Sequence, residues 1–445
     1  MEISLPQEVL HIIQTLNDNG FEAYVVGGCV RDSILGRKPY DWDITTNALP
    51  DAVKSLFNKT IDTGLKHGTI SVMLNNKLFE VTTYRIDGYY ADNRRPESVE
   101  FTSSINNDLS RRDFTINSIA FHPKEGFVDP FGGIDDINSS IIRTVGIPDM
   151  RFQEDALRLL RAIRFSAQLD FTIDIFTFDS IKKNSSRILN VSFERINEEL
   201  TKILLSKNTN KFLLLRETGL LQYILPEFDA CFNVTQNNPL HVFDVANHSL
   251  KTVSSVEADK VLRWAALLHD TGKVLTKTTD SLGIDHFYHH PHISVNLADT
   301  ALRRLKFDNK TICFVCRLIQ HHDRDIKADE RSVRKTAFFT GDDIFPDLLK
   351  LKEADIKGQN TEFLKERLQK LGIINKIYLD IKLKNHCLSV KDLSVNGNDL
   401  INLGFPIGKE IGYTLSWLLN KVLDNPELNN FDVLIKLAKV KLDCL

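Results

Sequence analysis

The segment Asp41-Trp42-Asp43, which opens the run DWDIT at 41–45, constrains this chain more than any other. Side chains alternate across a strand, so both carboxylates of such a strand project from one face. Two like charges that close repel, and the pairing is costly unless a cation sits between them. Mg²⁺ suits the position because it prefers hard oxygen ligands and commonly joins one or two carboxylates to nucleotide phosphates. An exposed edge strand can also carry Asp-x-Asp without any ligand. What tips the balance lies upstream: Gly27-Gly28 falls between an expected strand, FEAYVV (21–26), and an expected short helix, CVRDSIL (29–35). A turn of that kind aims helix N-terminal amides at an anion and leaves it room to approach. Arg31 adds a charge one turn in. Glu80, in a later strand, is a candidate third carboxylate whose face the spacing leaves open.

Further strands are expected at GTISVML (68–74) and KLFEVTTYR (77–85), joined by the turn pair Asn75-Asn76. Beyond about residue 150 strand signals fade, and helical periodicity dominates in EDALRLLRAIRFSAQL (154–169), ERINEELTKILL (194–205) and onward. The expected fold is therefore an α+β head, a small mixed sheet with helices, followed by an all-α neck, body and tail. The boundaries read as 1–145, 146–235, 236–360 and 361–445.

Composition fits a large folded chain. Among 445 residues 42% are hydrophobic and 26% charged, so disorder is excluded. Lys+Arg 56 against Asp+Glu 59 leaves a formal charge of -3, so a polyanion must be met by local patches rather than by the overall field. Lys350 to Lys384 holds nine basic and five acidic residues, either a solvated helix face or a weak phosphate-contacting surface. Six scattered cysteines make no disulfide framework and fit a reducing cytoplasm. Cys313-x-x-Cys316 sits in an apolar-periodic stretch that reads as a buried helix rather than a zinc or redox site. The start, MEISLPQEVLHIIQTLNDNG, reads as an amphipathic helix with Pro6 in its first turn, not an export signal, and no apolar run is long enough to cross a bilayer.

The segment RRDFTINSIA (111–120) places two arginines before an expected helix, where they can grip a triphosphate. Taken together, GGCVRD (27–32), DWDITTNA (41–48) and RRDFTINSIA resemble the DNA polymerase beta-like nucleotidyltransferase superfamily. On a helical wheel with Asp155 at zero, Arg158, Arg161 and Arg164 fall near about 300°, 240° and 180°, opposite an apolar face. A salt-bridged surface helix has the same look. The pairing edges of bases give the pattern a sharper use. Cytosine and adenine share an exocyclic amine beside an unprotonated ring nitrogen, whereas uracil and guanine present a carbonyl beside an N–H. A carboxylate that accepts from the amine and a guanidinium that donates to the ring nitrogen would take CTP and ATP and reject UTP and GTP.

With E154-D155-A-L-R158 and F193-E194-R195-I196 added, and an ending over 393–430 that looks like a tRNA-contacting tail, nearly the whole chain resembles class II bacterial CCA-adding enzymes, the tRNA nucleotidyltransferases. That resemblance implies template-independent, Mg²⁺-dependent addition of CCA to the tRNA 3′ acceptor end from CTP and ATP. It implies nucleotide binding at Gly28, Arg31, Arg112, Asp155, Arg158, Arg161 and Arg164, with Mg²⁺ on Asp41 and Asp43 as the catalytic pair. The segment RIDGYYADNRRPESVEF (85–101) resembles the loop that switches the family's site from C to A addition, which argues against a CC-only enzyme. An A-adding enzyme and a bacterial poly(A) polymerase remain alternatives.

Farther along come HVFDVANHSL (241–250), LLHDTGK (267–273), FYHHPHIS (287–294), IQHHD (319–323) and EADIKG (353–358). Imidazoles and aspartates in that series are ligands a transition metal recruits for phosphoester hydrolysis. The pattern resembles HD-domain phosphohydrolases. It implies metal at His248, His269, Asp270 and Asp355, with Lys273, His290 and His322 in secondary positions and the register at 289–292 and 321–322 open. A decayed HD fold used only as scaffold, and a phosphohydrolase with a degenerate nucleotide-binding head, are the competing readings.

Overall fold

The computed structural model describes residues 3–88 and 99–443. They form two compact units, 1–226 and 227–445.

The first unit begins with helix α1 (Gln7–Asp18), which buries Val9, Ile12, Ile13 and Leu16 at helical spacing. Strand β1 (Ala23–Val26) is buried along its length, and Gly27 turns it into α2 (Gly28–Ile34). The sheet is completed by β2 (Asp43–Thr46), β3 (Thr60–Gly64), β4 (Thr69–Leu74), β5 (Lys77–Thr83), β6 (Ala120–His122) and β7 (Gly126–Val128). Their order is β3-β4-β5-β2-β1-β6-β7. Every neighbouring pair is antiparallel except β2 and β5, so the sheet is mixed. Asn75 and Asn76 adopt positive φ values of 50° and 60° and close β4 onto β5 with Leu74 opposite Lys77. Two consecutive left-handed residues match the right-handed twist of a hairpin, and asparagine tolerates them.

Three expectations change. The strand expected from Asp41 begins only at Asp43, so Asp41 lies in the segment before it and the two carboxylates do not share a strand face by alternation. RRDFTINSIA does not start a helix: the arginines follow α3 (Ile105–Ser110), and the segment continues as a single 3₁₀ turn, Thr115–Asn117. Residues 154–169 are not one helix either. α4 (Pro148–Glu154) stops, Asp155 is extended at φ -138° and ψ 106°, and α5 (Leu157–Leu169) begins afresh. The Asp155 carboxylate accepts the Leu157 N–H at 3.0 Å, the local side-chain bond that makes aspartate compete with helix. α5 packs on α6 (Phe193–Leu204).

The second unit is helical apart from one hairpin, Lys277–Thr279 with Asp285–Phe287. Its core includes α7 (Val245–Ser255), α8 (Lys260–Leu268), α9 (His290–Arg304), α10 (Asn309–His321) and α11 (Phe345–Lys357). Asp244, Asp259 and Asp308 accept backbone N–H groups at the starts of α7, α8 and α10. Trp264 is fully buried, its ring 5.1 Å from that of Phe307. Cys313 and Cys316 do lie on a helix, α10, but Cys313 is exposed and Cys316 half-buried, so they are on its outer side. Among the described residues no helix is long and apolar enough to cross a membrane.

Candidate functional site

In the first unit a cleft of about 480 Å³ gathers nearly every residue that the sequence singled out for nucleotide chemistry. Gly27 and Gly28, Arg31, Asp41 and Asp43, Arg111 and Arg112, and Asp155, Arg158, Arg161 and Arg164 all line it. Asp41 precedes β2 and is exposed; Asp43 is the first residue of β2 and half-buried. Glu80 is the direct partner of Asp43 across the parallel β2–β5 pair, which puts its side chain on the same face. The Asp43 carboxyl is raised to about 6, first by burial and then by Asp41 and Glu80, with Arg112 acting against them. Negative charge is crowded here, which is the environment a hard divalent cation relieves.

Gly27 has φ +83°, and a Cβ there would lie 3.0 Å from the nearer terminal nitrogen of Arg112. The missing side chain is what lets that guanidinium lie against the turn. Gly27→Ala is therefore expected to raise the KM for nucleotide about tenfold or more by displacing Arg112, while the positive-φ, mirror-β backbone at ψ -131° costs about 1–3 kcal/mol of stability. Steady-state kinetics beside thermal unfolding separates the two effects, and an unchanged KM contradicts the placement of Arg112. The two arginines are not equivalent. Arg111 donates twice to one oxygen of the buried Asp108, at 2.9 and 2.8 Å, whereas Arg112 only grazes Asp108 at 3.5 Å. Arg112 is the one left for a ligand.

The arginines of α5 are held by a buried acidic and aromatic frame. Arg161 donates to Asp113 Oδ2 at 2.7 Å, Asn117 donates to Asp113 Oδ1 at 3.0 Å, and Arg31 donates to Asn117 Oδ1 at 2.6 Å. A continuous polar chain thus ties the glycine turn to α5. Burial alone would raise Asp113, but Arg161, the Asn117 amide and Arg158 outweigh it and hold the carboxyl at about 2. Arg164 lies 2.7 Å from Glu199 without hydrogen-bond alignment, and burial brings its guanidinium down to about 10. Arg31, Arg161 and Arg164 all sit over the Phe165 ring, at 5.1, 5.2 and 4.1 Å from its centre. Arg158 donates to the carbonyls of Arg151 and Arg111, at 3.2 and 3.1 Å, and pairs with Glu154. Asp155 is gripped through both oxygens by Arg195 of α6, at 3.3 and 2.8 Å.

Sequence reasoning passed over Asp113, Asn117, Asp108 and Phe165. The wheel carried a signal for Phe165, which falls at about 280°, among the arginines rather than on the apolar face. Asp108 lies three and four residues before Arg111 and Arg112, and Asn117 four after Asp113, spacings that could have flagged both pairs, whereas Arg161 on Asp113 and Arg31 on Asn117 are brought together only by the fold. The segment 85–101 enters as Arg85–Asp87 paired with Val99–Phe101; residues 89–98, the heart of the expected switching loop, lie outside the described residues.

In the second unit His248, His269, Asp270 and Asp355 converge as the sequence pattern implied. The open registers resolve to His290 and His322, which are buried; His289 and His292 are exposed and His321 half-buried. Each of these four inward imidazoles has its Nδ1 on a backbone carbonyl: Gly358 for His248, Ala266 for His269, Phe287 for His290 and Ile319 for His322. A carbonyl only accepts, so each Nδ1 carries the proton and each Nε2 points inward toward the carboxylates. Burial pushes the His269 imidazole down, but Asp270 and Asp355 outweigh it and bring it up to about 10. The basic stretch 350–384 is largely neutralised: Lys350, Lys357, Lys370, Lys382 and Lys384 all hold acidic partners.

Comparison with known proteins places this geometry. The family description "Poly A polymerase head domain" matches residues 23–143, "Probable RNA and SrmB- binding site of polymerase A" matches 170–232, and a tRNA nucleotidyltransferase domain 2 matches 277–438. The CCA-adding enzyme of Ligilactobacillus salivarius is 33% identical over 98% of this chain and 97% of its own length. The chain belongs to the CCA-adding enzyme family. A second member, from Staphylococcus aureus, is 41% identical over 62% of this chain and 72% of its own. The solved structure of the family member from Bacillus stearothermophilus, in complex with CTP, superposes with a TM-score of 0.72 at 28% identity, covering 98% of each chain. The α+β head and helical continuation are thus the family's fold.

Proposed function

We propose that this protein adds CCA to the 3′ end of tRNA from CTP and ATP, without a nucleic-acid template, and releases pyrophosphate. The observation that carries the reading is the single cleft in which Asp41 and Asp43 share walls with Asp155 and Arg158, an acid pair suited to metal and phosphate beside an acid and a guanidinium suited to a base. Asp41 and Asp43 hold Mg²⁺, which when bound supplies charge neutralisation at the α-phosphate and acidifies the attacking 3′-hydroxyl. The crowding of like charge that lifts Asp43 supports a cation there. Arg112 and Arg31, beside the glycine turn, bind the outer phosphates and hold them for in-line displacement. Asp155 accepts from the exocyclic amine of cytosine or adenine and Arg158 donates to the neighbouring ring nitrogen, while Arg161 and Arg164 fix the wall on which the nucleotide rests. Uracil and guanine would face acceptor to acceptor and donor to donor, which in a buried site costs more than any match gains.

The test is incubation of the protein with tRNA lacking CCA and labelled CTP, ATP, UTP or GTP, alone and in pairs. The expected products are C, C and then a single A. Addition of A only after a supplied CC identifies an A-adding enzyme, long A tracts a poly(A) polymerase, no addition a degenerate head, and incorporation of U or G overturns the base-selection scheme.

A second reading concerns the other unit. His248, His269, Asp270 and Asp355 hold a divalent transition metal and support phosphoester hydrolysis, a reading favoured by the tautomer lock that turns the two imidazole Nε2 atoms onto the buried Asp270 and the half-buried Asp355.

A further inference from the structure

We infer that the head carries a second anion site, a basic groove that adjoins the nucleotide cleft at Arg31 and takes the pyrophosphate as it leaves; this rests on the nucleotide-addition reading above and deepens it. The groove is a hollow of about 570 Å³ between the turn after α2, the end of α5 and the residues that follow α6. Its walls carry Arg31, Arg37, Lys38 and Lys207 against one acid, Asp32. That acid is already spent, because Asp32 Oδ1 accepts from Arg31 Nε at 2.9 Å and lies 2.8 Å from Nη2 of the same guanidinium. Lys38 and Lys207 are exposed, and among the described residues neither has an acidic partner. Cations gathered round one hollow without counter-ions of their own focus a positive potential that a polyanion relieves.

Arg31 is the common wall of the groove and the nucleotide cleft. Its side chain is buried and fixed from three directions: Asp32 on one edge, Asn117 Oδ1 at 2.6 Å on the other, and the Phe165 ring, whose centre is 5.1 Å from the guanidinium carbon. A guanidinium has five N–H donors. Asp32 and Asn117 take at most three of them, so each terminal nitrogen keeps a donor for an anion. An anion can pass from one side of Arg31 to the other without breaking the contacts that hold it. Arg37 continues the path. Its Nη1 donates to the Gln168 carbonyl at 3.2 Å, which pins the turn after α2 to the end of α5. Arg37 and Lys38 then line a further hollow of about 450 Å³ beside Trp42.

In-line geometry decides the occupant. The attacking hydroxyl and the leaving oxygen stand on opposite sides of the α-phosphorus. In the proposed site Asp41 and Asp43 stand where the hydroxyl is activated, and the glycine turn and Arg31 where the outer phosphates rest. The two acids line the cleft and not the groove, whereas Arg31 lines both. The groove therefore joins the cleft at the leaving-group end rather than at the primer end. Cleavage also turns a bridging oxygen into a charged terminal one, so the freed pyrophosphate gains from each further cation it meets.

The test is equilibrium dialysis of the full chain against labelled inorganic pyrophosphate with Mg²⁺. The expected result is two pyrophosphates per chain, one in the cleft and one in the groove, falling to one when saturating CTP fills the cleft. Lys38→Ala with Lys207→Ala should raise the Kd of the pyrophosphate that binds beside CTP by ~10-fold or more. Both lysines are exposed, so the change does not threaten folding. During addition of C to tRNA, pyrophosphate should inhibit the unaltered protein in a way that excess CTP does not fully relieve, and should inhibit the double variant only in competition with CTP. The KM values for CTP and tRNA should stay within ~2-fold, which a general loosening of the head would not allow. An unchanged inhibition pattern overturns the proposal; with a raised KM for tRNA it gives the groove to RNA, and a raised KM for CTP makes the groove part of the substrate site and overturns it too. One pyrophosphate per chain, displaced by CTP, in a protein that adds CCA overturns the groove and leaves the addition reading standing. Two pyrophosphates in a protein that adds no nucleotide overturn the addition reading and with it the leaving-group role.

Discussion

Asp43→Asn is expected to abolish nucleotide addition and at the same time to make the protein harder to unfold at neutral pH. The first effect follows from the role proposed for the acid pair. Asparagine keeps the shape but removes the charge that holds a divalent ion against a triphosphate, and a loss of ~10³-fold or more in kcat is the ordinary scale for removing such electrostatic stabilisation. The second effect follows from the cost of the site. In the folded chain burial, Asp41 and Glu80 hold the Asp43 carboxyl at about 6. An unfolded chain releases that proton near the usual ~3.9. The folded state binds the proton more tightly, so ionised Asp43 works against folding. The penalty is absent below about pH 4, grows as pH rises toward 6, and is complete above it. Two pKa units correspond to about 3 kcal/mol, and partial exposure to solvent leaves about 1–2 kcal/mol. Thermal unfolding without divalent ions should therefore show a gain of a few degrees for Asp43→Asn at pH 7.5 and no gain at pH 4. Saturating Mg²⁺ should narrow the gap by stabilising only the native sequence. A variant that keeps a tenth of its activity, or whose added stability persists at pH 4, contradicts this account of Asp43.

That trade also explains what the sequence could and could not reveal. Asp41 and Asp43 were legible only together with the upstream glycine turn, because two like charges one residue apart can sit on an exposed edge but gain sense as a cation site beside a turn suited to phosphate. The glycine turn was legible because a strand must bend there, and the arginine face of α5 because 3.6-residue periodicity separates it from Leu159, Leu160 and Ile163, all fully buried. The break at Asp155 was not legible. Every residue from Glu154 to Leu169 is compatible with one helix, and the stop depends on a carboxylate that prefers the Leu157 N–H and Arg195 to a helical turn. Asp113 was hidden for another reason. Beside two arginines it reads as a solvated charge, and only the fold brings Arg161 onto the oxygen that Asn117, four residues on, leaves free. In the second unit the identity of each histidine was visible, but not which of His289, His290 and His292 turns inward; a single left-handed residue, His289 at φ 61°, decides it.

Asp155→Asn is the change expected to alter what the protein adds rather than whether it is folded. The carboxylate has about four lone-pair positions, of which the Leu157 N–H and the two Arg195 nitrogens occupy part, leaving room for a base amine. An amide offers one acceptor oxygen and two donors. Arg195 fixes the outcome, because it presents donors only: the oxygen must turn toward Arg195 or the site is left with donor against donor. Whichever face remains for the nucleotide, acceptance of the cytosine or adenine amine is weakened, and the amide's own N–H becomes available to the carbonyl of uracil or guanine. The expected result is a fall of ~10²–10³-fold in kcat/KM for CTP and ATP, with UTP and GTP hardly changed or improved, so that discrimination collapses from both sides. Arg195→Ala serves as the positioning control. It leaves the acid intact but frees it to rotate, and should lower kcat/KM for CTP and ATP by a smaller factor while discrimination against UTP is largely kept. If Asp155→Asn lowers all four nucleotides by the same factor, the residue supports the cleft without reading the base, and selection of C and A must be sought in Arg158 and the carbonyls that hold it.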